Sequence, residues 1–180
     1  MGKIHESITP KLSEFIQKQK LFFVSTAPLS DNGLINNSPK GLDSFCILDK
    51  HTVAYIDLVG SGVETIAHLK ENGRITIMFC AFEGAPKILR LYGKGEVLER
   101  DTASFEAMQH HFPDYINARS IIKIKVQRIQ DACGYAVPIL EFKQERDVLD
   151  KWAANKGTDG IKTYIRKRNS VSLDGMKGVE

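Results

Sequence analysis

Residues 57–69 read DLVGSGVETIAHL, a stretch that leaves an extended apolar run, crosses two glycines and enters a segment with apolar residues at helical spacing. Ser61-Gly62-Val63-Glu64 fits a capping box, in which the serine hydroxyl accepts from the third helical N–H and the glutamate reaches back to the serine N–H. Ile66 and Leu69 start the apolar face directly behind it. The same geometry suits an anion, because a glycine-lined helix start presents free N–H groups and the positive end of the helix dipole. Glu64 places negative charge where a phosphate would sit, so the residues alone leave the structural and the anion-binding readings open.

Upstream, Ile8, Leu12, Phe15 and Ile16 recur at helical spacing, with Thr9 as N-cap and Pro10 at the first helical position. LFFVSTA and INNSPKG flank Asn32-Gly33, a hairpin signal, and SFCIL and TVAYIDL flank the polar turn DKH, a second one. Downstream, the helical pattern stops at Asn72-Gly73, as a C-terminal glycine would stop it. RITIMFCAF reads as a buried strand, and ILRLYGKGEVLE as another, whose Gly93 and Gly95 would bend it or admit a close neighbour. DTASFEAMQHHF has helical spacing. In SIIKIKVQRIQ, Ile122, Ile124 and Val126 alternate with Lys123, Lys125 and Gln127, the pattern of a strand with one wet face. From Glu145 to Arg168 the apolar positions predict two short helices broken at Lys156-Gly157-Thr158, followed by a polar tail. Antiparallel strands with helices between and after them predict an α+β domain on a small closed or half-closed β-barrel.

The 180 residues, 42% hydrophobic, suit a single domain spanning 1–180, with 144–180 as a helical C-terminal extension and tail. Cys46, Cys80 and Cys133 are odd in number and widely spaced, without a CxxC pair, which predicts reduced and mostly buried thiols in a cytoplasmic protein. The N-terminus lacks a signal-peptide core and no apolar run approaches the ~20 residues of a membrane span, so a soluble protein with no membrane partner is expected. A formal charge of +3 does not demand nucleic acid.

The succession from NSPKGLDSF through TVAYIDLVGSG, NGRITIMF and ILRLYGKGEVLE resembles the FMN-binding split barrel of the pyridoxamine 5'-phosphate oxidase-like family, over most of residues 8–131. CGYAVP (133–138) and RNSVSLDGMKG (168–178) are similar to a subgroup that keeps a C-G-Y-x-V-P turn and an S-x-D-G-x-x-G tail. The resemblance implies an antiparallel split β-barrel of about six strands with flanking helices, forming a homodimer with FMN in the groove between protomers. It implies a flavin-dependent oxidoreductase acting on a small soluble substrate. It also implies that Lys40, Ser61, Gly62 and Thr65 lie near the FMN phosphate and that Tyr55, Lys87 and Arg90 lie along the groove. Cys133 and Tyr135 become candidates for ring or substrate contact, beside a purely structural turn.

The chain departs from the family where family oxidases carry a basic Ser-Arg-Lys cluster: ungapped alignment back from Leu69 places Val63, Glu64 and Thr65 there. Lys40, and Lys87 or Arg90, are the nearest substitute cations. An Arg-Leu-x-Pro finish is also absent, which argues against oxidation of pyridoxamine phosphate itself. Two rival classes remain: a non-catalytic holder of flavin, deazaflavin or haem, and a nucleic-acid-binding small barrel. Against the second, the basic run YIRKRN has no accompanying aromatic ladder. His110-His111 point about 100° apart on a helix with no third ligand at i+4 spacing, so no metal site is expected. His68 reads as a surface or packing residue.

Overall fold

Alternation of apolar and polar residues, punctuated by the turns above, produces a curled antiparallel sheet. A computed structural model describes residues 2–179. Its strands are β1 (Ile4–His5), β2 (Phe22–Thr26), β3 (Asn36–Lys40), β4 (Phe45–Ile47), β5 (Thr52–Leu58), β6 (Arg74–Cys80), β7 (Ile88–Glu99) and β8 (Ala118–Ala132). They run in the spatial order β3-β2-β6-β7-β8-β5-β4, and β1 adds to β8. The helices are α1 (Pro10–Lys18), α2 (Glu64–Asn72), α3 (Ala103–Gln109) and α4 (Val148–Arg168). Among the described residues no helix is long and apolar enough to cross a membrane.

Most elements arise where local chemistry predicts them. Thr9 caps α1 by accepting from the Leu12 N–H, and Pro10 opens the helix. Gly73 ends α2 in the left-handed region (φ 70°), where its N–H donates to the Leu69 carbonyl. Gly157 breaks α4 with φ 63° and ψ 174°, at the position the sequence marks. The β2–β3 hairpin forms, but Asn32 and Gly33 do not adopt the positive φ of a tight primed turn. The connection instead runs over residues 27–35 and is closed by a Gly33 N–H to Ser30 carbonyl bond of 3.1 Å. β1 is too short to carry a periodic signal, and the sequence predicts no strand there.

The inner face of the sheet carries the core, including Val24, Ile77, Leu89, Leu91, Ile122 and Ile124. Gly93 sits at a bulge between β7 and β8, where a Cβ would overlap the Lys125 carbonyl oxygen; Gly95 lets Leu69 of α2 approach the strand.

The sheet curls until its two edges meet across a split. Phe22 of β2 packs on Phe45 of β4 (ring centroids 5.1 Å apart) and on Tyr55 of β5 (5.7 Å). An ion pair spans the same gap: Lys40 Nζ of β3 lies 2.9 Å from Asp57 Oδ1 of β5. The other carboxylate oxygen receives Arg119 Nε of β8 at 2.6 Å. Asp57 is fully buried. Burial alone would raise its pKa, but the Arg119 and Lys40 charges and their hydrogen bonds outweigh that and hold it at about 2.

Two outcomes follow for stability. Gly93→Ala should cost about 1–3 kcal/mol in urea unfolding, because rigid backbone must shift; Gly95→Ala should cost less, because only the flexible Leu69 side chain must yield. Equal costs would contradict the bulge account. Asp57 has a depressed folded pKa, so its contribution is fully present above about pH 4 and is lost as pH falls toward 2. Asp57→Asn should therefore lose about 3 kcal/mol at pH 7 and show a flatter stability profile than the natural chain between pH 5 and 2.

Candidate functional site

The turn from β5 into α2 departs from the capping box. The helix begins at Glu64, its N-cap is Val63, and no side chain caps it. Ser61 lies exposed, two residues before the cap. Glu64 does not reach back to Ser61; its Oε1 accepts from the Leu173 N–H (3.3 Å), a donor brought in by the C-terminal tail. The first turn of α2 thus keeps backbone donors that no side chain takes up.

Around this turn the fold gathers polar groups from distant strands. Arg119 Nη1 donates to the Gly62 carbonyl (2.7 Å), which ties the turn to the Asp57 ion pair. Lys40, 21% exposed at its side chain, is the outermost member of that cluster. Asn36 Nδ2 donates to Thr65 Oγ1 (2.9 Å) and to Thr26 Oγ1 (3.3 Å). Ser38 Oγ donates to Asn36 Oδ1 (3.0 Å). Thr26 Oγ1 also lies 2.9 Å from His68 Nδ1. His68 is wholly buried rather than superficial, and burial lowers its pKa, which favours the neutral imidazole. Tyr55 is equally buried. Its hydroxyl lacks a hydrogen bond of ordinary geometry, although Thr65 lies close, and burial followed by the nearby Asp57 charge pushes the phenol well above its usual pKa.

Of the residues singled out from sequence, Lys40, Tyr55, Gly62 and Thr65 are therefore brought into one neighbourhood, with Ser61 on the loop beside them. Lys87, Cys133 and Tyr135 lie elsewhere, on an open groove of about 1290 Å³ between α1, residues 81–87 and residues 131–142. There Lys87 Nζ sits 4.8 Å from the Phe15 ring centroid and 3.9 Å from Asp131 Oδ2. CGYAVP is a turn in which left-handed Gly134 (φ 65°) packs on the Lys87 backbone and accepts from the Val137 N–H (2.9 Å). Tyr135 is 81% exposed and does not pack into the fold. Cys133 is exposed as well, whereas burial pushes the Cys46 thiol up to about 11 and also raises Cys80. Arg90 lies on the outer face of the sheet, in a cross-strand row with Pro39, Phe23, Met78 and Gln130.

Sequence reading gave no site role to Asn36, Thr26, Arg119, His68 or Asp174. One readable signal exists: Asp57 is a carboxylate inside the apolar run TVAYIDL, and a charge there needs a partner. Among the described residues no group of three or more metal-ligating side chains forms, and the His110 and His111 rings merely lie against each other, 4.0 Å apart.

Comparison with known proteins bears on this arrangement. The sequence profile described as Pyridoxamine 5'-phosphate oxidase matches residues 8–133, which include every strand except β1 and the turn into α2. The pyridoxamine 5'-phosphate oxidase family protein ustO of Aspergillus flavus is 37% identical over 198 residues, spanning 99% of this chain and 78% of the relative. Among solved structures, HupZ of Group A Streptococcus is 27% identical, with a TM-score of 0.52 over 68% of this chain and 91% of that one. An FAD-binding protein from Mesorhizobium loti shares the fold at 11% identity, with a TM-score of 0.51 over 73% and 95% of the two chains. The chain belongs to the pyridoxamine 5'-phosphate oxidase family.

Proposed function

We propose that this chain binds FMN between two protomers and works in the cytoplasm as a flavin-dependent oxidoreductase on a small soluble substrate. The observation that carries the reading is the uncapped start of α2, set beside Lys40, Ser61 and Thr65. A phosphate fits this donor set: backbone N–H groups, two hydroxyls and a partly exposed ammonium. Lys40 and Arg119 share one carboxylate, Asp57, which leaves one positive charge in excess among these three side chains, and Glu64, whose second oxygen lies against Gly62, offsets it. Glu64 opposes a phosphate, and its contact with Leu173 occupies one of its oxygens.

The flavin, when bound, supplies the electron sink, and the protein's contribution is to bind and orient. Lys40 and Thr65 hold the phosphate end. Asp57 fixes the Lys40 ammonium, and Arg119 fixes the Gly62 carbonyl and with it the path of the turn. Tyr55 keeps its proton at any working pH and presents an O–H rather than a phenolate. Membership of the family supports a homodimer. So does the outer face of β2, β6 and β7, where the side chains of Phe23, Met78, Arg90 and Tyr92 stand only half-buried. In such a dimer the Lys87, Cys133 and Tyr135 groove is the place for the substrate, against the apolar wall of Phe15, Phe82 and Phe142.

Purified protein should show a flavin absorbance band or quench FMN fluorescence saturably; a colourless chain that ignores FMN would overturn the reading. Binding without reduction by nicotinamide donors, and without reoxidation by any of a substrate panel, would leave a flavin holder instead of an enzyme. Lys40→Ala should weaken FMN at least about tenfold, the scale of one charge-assisted hydrogen bond. Lys167→Ala, which removes an exposed charge from the last turn of α4, should weaken it much less. Equal affinities for the two variants would remove Lys40 from the site.

A further inference from the structure

The polar tail that follows α4 is built into the fold. Asn169 is fully buried and Ser172 nearly so. The S-x-D-G-x-x-G pattern of residues 172–178 has a physical reason at each marked position. Ser172 closes the turn on itself, its hydroxyl accepting from the Met176 N–H (3.1 Å) and its own N–H donating to the Met176 carbonyl (2.9 Å). Gly175 adopts φ 75°. Gly178 is pressed between the Asn169 carbonyl and Val63, the N-cap of α2, and leaves no room for a Cβ. Asp174 needs a different explanation, because its Oδ2 reaches two other elements.

We infer that Asp174 is a positioning residue for the start of α2, holding the tail against the β2–β3 loop and ordering the hydrogen-bond chain that ends on Thr65. Asp174 Oδ2 accepts from the Leu34 N–H (2.9 Å) and lies 4.0 Å from His68 Nε2, a fully buried nitrogen with no hydrogen-bond partner. The donor directions fix the rest of the chain. Asn36 Nδ2 donates to Thr26 Oγ1, so the Thr26 hydroxyl is free to donate its own proton to His68 Nδ1. A neutral His68 that accepts at Nδ1 carries its proton on Nε2, which faces the Asp174 carboxylate. The carboxylate thus selects the tautomer in which His68 Nδ1 accepts from Thr26 and Thr26 accepts one Asn36 amide proton, which leaves the other Asn36 proton for the Thr65 hydroxyl. The same tail holds the turn directly: Asn169 Nδ2 donates to the Gly60 carbonyl (3.0 Å), the Leu173 N–H donates to Glu64, and Lys70 Nζ donates to the Gly178 carbonyl (2.6 Å). A site that must bind through the free N–H groups of one helical turn gains when that turn is held before the ligand arrives.

The consequence for affinity rests on the proposed flavin phosphate site; the ordering of the turn does not. The test uses the full chain and Asp174→Ala and Asp174→Asn variants, with three readouts: the His68 tautomer from long-range ¹H–¹⁵N correlations, hydrogen exchange without ligand of the first bonded amides of α2 at residues 67–69, and FMN titration. The natural chain should show the Nε2–H tautomer; an Nδ1–H tautomer would overturn the proposal without any variant. In Asp174→Ala, exchange over 67–69 should rise about tenfold or more while the core strands stay protected, and FMN affinity should fall by a similar factor. Asp174→Asn, whose amide oxygen can still accept from Leu34 and face His68, should restore most of both. Unchanged exchange and tautomer in Asp174→Ala would overturn the positioning role. Faster exchange in a protein whose natural form ignores FMN would uphold that role and remove the flavin reading instead.

Discussion

A buried carboxylate between two cations holds this fold closed. β3 and β4 are the two ends of the strand order, and a curled sheet with free edges there has no backbone ladder to join them. Phe22, Phe45 and Tyr55 supply apolar contact across the gap, but apolar contact does not fix register. The Asp57 carboxylate does, because each oxygen has its own donor, Lys40 from β3 and Arg119 from β8. Removing either partner would leave a charge in a dry interior, a penalty larger than the net worth of the intact pair. Closure and charge balance are therefore one constraint.

That constraint also sets what the neighbouring turn can do. Family oxidases place cations at the start of the helix, and this chain places Val63, Glu64 and Thr65 there. The cations that stand beside this turn belong to the sheet: Lys40 on one side of the split, and Arg119 on a strand that reaches the turn through the Gly62 carbonyl. Moving the charge from a flexible turn to two strands makes its position a property of the closed barrel. It also limits its strength, since Asp57 neutralises one of the two cations.

Much of the fold was legible in the residues because it depends on local chemistry. Thr9-Pro10 starts a helix, Gly73 ends one, Gly157 breaks one, and the alternation in β2 and β8 assigns their faces. The parts that were not legible depend on partners remote in sequence. Ser61-Gly62-Val63-Glu64 has the spacing of a capping box, yet Glu64 finds its donor at Leu173. The tail reads only as polar because it packs through backbone groups, one buried asparagine and a glycine that admits Val63. Of the candidate site, Lys40, Tyr55, Gly62 and Thr65 were placed by resemblance, and the structure brings them together. Asn36, Thr26 and His68 were not, since small polar residues in strands and helices are usually unremarkable. Lys87, Cys133 and Tyr135 share a groove away from this turn, and nothing in their spacing reveals that separation.

The groups around the turn come from residues 26, 36, 40, 57, 65, 68, 119 and 174, spread across most of the chain. No local segment contains more than a fragment of the site, so it exists only when the sheet has curled, the split has closed and the tail has docked. Each of those steps places a donor or acceptor: β3 brings Asn36 and Lys40, β8 brings Arg119, and the tail brings Asp174. An anion bound at the start of α2 would contact only the finished arrangement, and its binding energy would add directly to the stability of the closed barrel. The ion pair that closes the split and the hydrogen-bond chain that reaches Thr65 meet at the same turn, so the stability of the fold and the shape of its candidate site respond together to any change at Asp57.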